Sequence, residues 1–238
     1  MGFKYINTNR VLGGHTLIGS SHVSLQRPNQ DSLHFGSYNS GFCFVAVADG
    51  VGSCLYSQVG SRCAVRMIGQ LCKRGPQWLN DARQSTRLRN YIISHWNRSV
   101  GEQMASYATT LNFVILGKNC MWVGQIGDGL VLVKTRHQFV LLEETTAQPP
   151  YTFALGGTGV AENFRLCVLK PCKQMSIFLC SDGVGRVLNP ALFQKFLVYV
   201  RKLLLRNQSK GQKELKEWLF SLGKYNQDDK TFGVLLCR

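Results

Sequence analysis

The sequence predicts an α+β fold with largely antiparallel sheets. Three observations predict it: short apolar, β-branched runs gather in hairpin-like groups, helical periodicities fall in pairs between those groups, and the two do not alternate strictly. The chain has 238 residues, 45% of them hydrophobic, which is enough to bury a sizeable core. No linker, low-complexity tract or internal repeat interrupts it, so residues 1–238 are expected to form a single domain.

In chain order, strands are expected over Phe42–Ala48, Thr110–Leu116, Met121–Ile126, Leu130–Lys134, Phe139–Leu142, Phe164–Leu169, Met175–Cys180 and Thr231–Cys237, and a further strand follows Asp31. Val59, Cys63, Met67 and Leu71 align on one face of a helix after Ser57. Leu88, Ile92, Trp96 and Val100 do so after Ser85. Asn189 before Pro190 reads as a cap and first turn, with Leu192, Phe196, Val200, Leu203 and Leu204 continuing the helix. A shorter helix is expected from Lys210 to Leu222.

No apolar run approaches the roughly 20 residues of a membrane helix. Met1–Arg10 has no apolar core of a secretory kind, and Ile6 breaks the myristoylation pattern that Gly2 starts. Nine cysteines form no C-x-x-C pair and no zinc spacing with histidine; Cys43, Cys180 and Cys237 lie inside apolar runs. The expectation is a cytoplasmic, monomeric protein with reduced thiols and no membrane partner. The 28 Lys and Arg against 13 Asp and Glu give a formal charge of +15. Such a surplus points to an anionic partner. Arg62, Arg66, Lys73, Arg74, Arg83, Arg87, Arg89, Arg98 and the 195–216 stretch form basic faces, expected to meet an acidic partner protein. No zinc finger, recognition helix or aromatic–basic interleaving supports nucleic-acid binding.

The few acids are placed unusually. Asp31, Asp49, Asp128, Asp182 and Asp228 each stand in a short Gly- or Asn-containing segment, and four adjoin strand-like runs. Asp49-Gly-Val-Gly and Asp182-Gly-Val-Gly end buried strands, and Gly127-Asp128-Gly129 is a tight turn between two others. Asp-Gly alone marks a turn. Carboxylates that converge at strand ends, however, cannot all stay ionised without a counter-charge. Hard divalent cations supply one, since Mg²⁺ and Mn²⁺ favour carboxylate, carbonyl and water oxygens.

In order and spacing, Asn29-Gln-Asp31, Ala48-Asp49-Gly-Val-Gly52, Ala108-Thr-Thr-Leu111, Ile126-Gly-Asp128-Gly129, Phe153-Ala-Leu-Gly156, Ser181-Asp182-Gly183 and Asp228-Asp-Lys-Thr231 resemble the protein phosphatase 2C family, the metal-dependent serine/threonine phosphatases. The resemblance runs from about Gly19 to the C-terminus. It implies an antiparallel β-sandwich flanked by helices on both faces, a four-layer αββα arrangement, with a binuclear Mg²⁺ or Mn²⁺ site at one end. It implies that Asp49 bridges two ions, that Gly50 offers its carbonyl, and that Asp182 and Asp228 complete the second site. Asp31 would hold water at the ions, and Asp128 with Asp182 would take a third, weaker ion. The implied reaction is in-line attack on a phosphoprotein by water activated at the two ions. Arg27 is the candidate guanidinium for the phosphoryl oxygens, although many members carry it where this chain has Gln26.

Other departures from the family pattern are Gln30 for Glu, Val51 for a His that some members use as general acid, and Asp229 for Asn. The last leaves Asp228 and Asp229 as competing ligands, with Asp228 preferred for its position three residues before Thr231. Two rival functions follow from the residues. A catalytically weak scaffold that binds phosphoprotein would explain Gln30 and Val51. Cys180-x5-Arg186 fits the phosphate loop of cysteine-dependent phosphatases, but Leu179 and Val187 replace its usual His and hydroxyl residue, and Asp182 sets a carboxylate among amides meant for a dianion.

Overall fold

The computed structural model describes residues 3–5, 10–144 and 151–238. Among the described residues, eleven strands build two sheets, and every strand pairing is antiparallel. The six-stranded sheet contains β1 (Phe3–Tyr5), β2 (Arg10–Leu17), β7 (Leu130–Lys134), β8 (Phe139–Glu143), β10 (Ser176–Cys180) and β11 (Lys230–Cys237), in the order β1-β2-β11-β10-β7-β8. The five-stranded sheet contains β3 (Asp31–Ser37), β4 (Cys43–Asp49), β5 (Leu111–Leu116), β6 (Met121–Ile126) and β9 (Arg165–Leu169), in the order β3-β4-β5-β6-β9.

Three hydrophobic clusters make the layers explicit. Alternate residues of one strand enter different clusters, as the two-residue period of a strand requires. Along β4, Phe44, Ala46 and Ala48 meet helices, whereas Cys43, Val45 and Val47 meet the other sheet. Along β10, Phe178 and Cys180 face helices on the opposite side, and Ile177 and Leu179 point into the sandwich. Both faces of these strands are covered, which is why the sequence shows unbroken apolar runs instead of alternation. Short helices α1 (Ser20–Ser24), α4 (Val160–Asn163) and α5 (Asp182–Gly185) sit in connections. Helices α2 (Ser57–Arg74) and α3 (Ser85–Val100) cover the five-stranded sheet; α6 (Phe193–Arg206) and α7 (Gln208–Ser221) cover the six-stranded one.

The expected α3 stripe is found, with Leu88, Ile92 and Trp96 fully buried and the Trp96 indole donating to the Gly60 carbonyl at 3.0 Å. Asn189 caps the turn before α6 by accepting from the Ala191 N–H. The expected face of α2 is found in part: Met67 and Leu71 are buried and Cys63 packs against the same core, but Val59 is 37% exposed, and the buried face also takes in Gly60, Ser61, Ala64, Val65 and Ile68. Steps of four residues drift by about 40° each on a helix of 3.6 residues per turn, and a side chain at Gly60 would collide with the Tyr107 carbonyl. Small residues, Gly60, Ser61 and Ala64, join the apolar ones on the face that touches the sheet.

Candidate metal and phosphate site

One end of the sandwich collects the acids, because antiparallel pairing brings the relevant strand ends together. Asp31 and Asp49 are cross-strand partners at the last pair of the β3–β4 ladder. Asp128 stands on the turn that leaves β6 in one sheet and enters β7 in the other. Asp182 follows β10 and Asp228 precedes β11, which are neighbours in the six-stranded sheet. A cavity of about 510 Å³ opens there, and Asp49, Gly50, Asp128, Asp182 and Asp228 line it together with His22, Gln30, Val51 and Thr110.

Each acid is held by its surroundings. The Asp49 main chain is fastened by Thr109 and Thr110: its N–H donates to Thr110 Oγ1 at 2.9 Å, and its carbonyl accepts from Thr110 N–H and Thr109 Oγ1, both at 2.8 Å. Gly50 packs on the start of α2, where a Cβ would lie 2.7 Å from the Ser57 carbonyl carbon. Gly183 permits the Asp182 turn to press against the Asp229 carbonyl. Asp31 lies behind the cavity wall, where its Oδ2 accepts from Ser181 Oγ at 2.7 Å.

The electrostatics follow from crowding. Burial pushes Asp31 up to about 8, the nearby Asp229 adds to this, and the Ser181 hydrogen bond opposes it. Burial, then the charges of Asp31 and Asp182, hold Asp49 well above the ordinary carboxylate range. Asp182 is raised by burial and by Asp128, with Asp49 and Arg186 working against the rise. Asp31 Oδ1 and Asp182 Oδ1 are buried without a hydrogen-bond partner. Buried polar atoms are ordinarily paired. Two such oxygens within one acidic cluster fit a pair of divalent cations. Among the described residues no three His, Cys, Asp or Glu side chains close into a ligand cage of their own. An open ring of acids around a cavity suits Mg²⁺-like ions, which keep several waters.

The remaining sequence candidates take different places. Arg27 is exposed and lines a neighbouring groove of about 300 Å³ that shares Gln30, Gly52 and Ser53 with the acidic cavity. Asp229 is nearly inaccessible and fully engaged: Oδ1 accepts from Gly19 N–H at 2.7 Å, and Oδ2 accepts from Gln30 N–H at 2.6 Å and contacts His22 Nδ1 at 2.8 Å. Asp228 alone of the pair lines the cavity. Cys180 is buried beneath α6, and burial drives its thiol well above the ordinary value, opposite to what a nucleophilic cysteine needs. Arg186 is ion-paired with Asp182 and Asp128. The connection between Asp128 and Ala154 falls partly outside the described residues. Sequence reasoning gave no role to His22, Ser181 or Arg186 at this site; only the i,i+4 spacing of Asp182 and Arg186 was there to be read.

The sequence model of protein phosphatase 2C matches residues 18–220. The chain belongs to the protein phosphatase 2C family. Membership makes it, by class, a protein-serine/threonine phosphatase. Among solved structures of this family's fold, the catalytic domain of the serine/threonine protein phosphatase PstP, in complex with two manganese ions, is 16% identical, covers 96% of this chain and 98% of its own, and has a TM-score of 0.68. A serine/threonine phosphatase of S. agalactiae is 17% identical over 96% of this chain and 100% of its own, with a TM-score of 0.65. RsbX in complex with magnesium is 14% identical over 99% and 98%, with a TM-score of 0.63. At these identities the likeness shows the protein phosphatase 2C fold. No curated protein matches the chain in sequence.

Proposed function

We propose that the chain hydrolyses phosphoserine and phosphothreonine in proteins at a pair of Mg²⁺ or Mn²⁺ ions held by Asp49, the Gly50 carbonyl, Asp182 and Asp228. The observation that carries this reading is the pair of buried, unpartnered oxygens, Asp31 Oδ1 and Asp182 Oδ1, in the acidic cluster at the cavity, Asp182 lining it and Asp31 just behind its wall. The magnesium and manganese complexes of RsbX and PstP support the choice of ion.

When bound, the ions supply a water nucleophile at neutral pH and screen the phosphoryl oxygens. The protein's own residues do the rest. Asp49, its main chain clamped by Thr109 and Thr110, would serve both ions. Asp31 is fixed by Ser181, so its Oδ1 keeps one direction and would hold a water at the ions by hydrogen bond. Val51 and Gly52 line the cavity without titrating groups. Arg27 stands in the adjoining groove with Leu55 and Gln58, a position that suits contact with the protein part of the substrate next to the phosphoryl group. A phosphothreonine peptide and p-nitrophenyl phosphate, each assayed with Mn²⁺, test the proposal. Asp182→Asn should abolish turnover of both, and Arg27→Ala should raise KM for the peptide more than for the small ester. Retained turnover in Asp182→Asn contradicts the assignment.

A further inference from the structure

The two acids expected to hold a third, weaker ion are already bridged. Arg186 Nη2 lies 2.6 Å from Asp182 Oδ2 and 3.1 Å from Asp128 Oδ2, one nitrogen between carboxylates from two different elements. The position is set by local structure. The Arg186 N–H donates to the Asp182 carbonyl at 2.9 Å, so one helical turn places the side chains of residues 182 and 186 on the same side.

We propose that Arg186 takes the place of a third divalent ion between Asp128 and Asp182, so that this chain's site is complete with two ions. The inference rests on the binuclear reading above. It follows from which oxygens are engaged. A hard divalent cation shared by Asp128 and Asp182 needs an oxygen from each at about 2.0–2.1 Å, and the guanidinium nitrogen sits between the two Oδ2 atoms. Asp182 keeps its buried Oδ1 free on its other side, so engagement by Arg186 leaves Asp182 able to serve the second ion. The third ion is the one displaced.

Energetics point the same way. Arg186 is 63% exposed, so each of its two ion pairs is individually weak in water. The guanidinium is nevertheless tethered one turn from Asp182, at an effective concentration on the order of millimolar. A weakly held ion must compete with that cation for the same two oxygens. A fixed guanidinium also neutralises part of the Asp128–Asp182 repulsion at all physiological pH values, with no dependence on ion concentration.

The test is a Mn²⁺ titration of the full chain at pH 7.5, with free ion followed by electron paramagnetic resonance. The wild type should saturate at two ions per chain. R186A should reveal an additional, weaker class and a total of three, while R186K, which keeps the charge, should stay at two. Near-UV circular dichroism checks folding, and R186Q, which keeps the stem without the charge, reports the same step should R186A not fold. Three ions in the wild type overturn the inference alone, as do neutral variants whose isotherms superimpose on the wild type. A wild type that binds no Mn²⁺ overturns the binuclear reading and this inference with it.

Discussion

Asp31 and Asp49 face one another as the terminal pair of the β3–β4 ladder, two carboxylates directly opposed, with Asp49 at the floor of the cavity and Asp31 just behind it. Like charges opposite one another in a sheet are destabilising, and here burial multiplies the effect. The metal-free protein therefore holds protons at this floor that the unfolded chain releases.

This sets the pH response. Asp31 moves from 3.8 in the unfolded chain to about 8 in the fold. Because the folded state binds more protons across that interval, stability of the metal-free protein falls as pH rises from about 4 toward 8 and then levels off. Thermal melts in EDTA should give a higher Tm at pH 5 than at pH 8. Added Mn²⁺ must displace those protons, so its stabilisation should be larger at pH 8. A metal-induced Tm shift that is greater at pH 5 contradicts the placement of Asp31 and Asp49.

Asp49→Asn removes one charge from that floor and keeps the shape. The variant should lose tight Mn²⁺ binding and turnover, while its metal-free form is at least as stable as the wild type near neutral pH. Calorimetric titration that still finds two tightly held ions would sink the bridging role of Asp49.

Asp228 and Asp229 are adjacent, and their substitutions should separate cleanly. Asp229 accepts two backbone N–H bonds and pairs with His22 while buried. Breaking such a buried network costs about 3–5 kcal/mol, so Asp229→Ala should lower the urea midpoint sharply. Asp228→Ala should leave the midpoint of the metal-free protein nearly unchanged and remove Mn²⁺ binding. The reverse pattern would exchange their roles.

The outer basic residues give a salt-dependent prediction. Arg83 and Arg87 are exposed on the helical layer over the five-stranded sheet, with the Arg87 guanidinium 4.9 Å above the Trp78 ring. Exposed charges act over about 8 Å at physiological ionic strength. If this face gathers acidic phosphoprotein, kcat/KM for an acidic phosphopeptide should fall with KCl more steeply than for p-nitrophenyl phosphate. Arg83→Glu with Arg87→Glu should flatten that difference and leave small-ester hydrolysis unchanged. Equal salt slopes in the wild type would remove the face from substrate capture.

How far the sequence alone led can be judged on individual residues. The central strands were readable because both faces are covered, which leaves runs such as Val45–Ala48 and Ile177–Cys180 uninterrupted by polar residues. Strand β2 escaped because Gly13-Gly14-His15 looks like a turn; Gly14 is there because a Cβ would collide with the Phe232 carbonyl of β11. Asp49, Asp182 and Asp228 were legible as carboxylates at strand ends. Ser181 and His22 were not, since their contacts with Asp31 and Asp229 span 150 and 207 residues of chain. Arg186 was noticed for lying six residues after Cys180, whereas its spacing of four from Asp182 is the one the structure uses.

Chelation tests the central claim most directly. Hydrolysis of a phosphothreonine peptide should vanish after exhaustive EDTA treatment, return when Mn²⁺ is restored, and persist in Cys180→Ser. Turnover undiminished by EDTA, and lost in Cys180→Ser, would contradict a phosphatase built on Asp49, Asp182 and Asp228 and would assign the chemistry to the buried thiol.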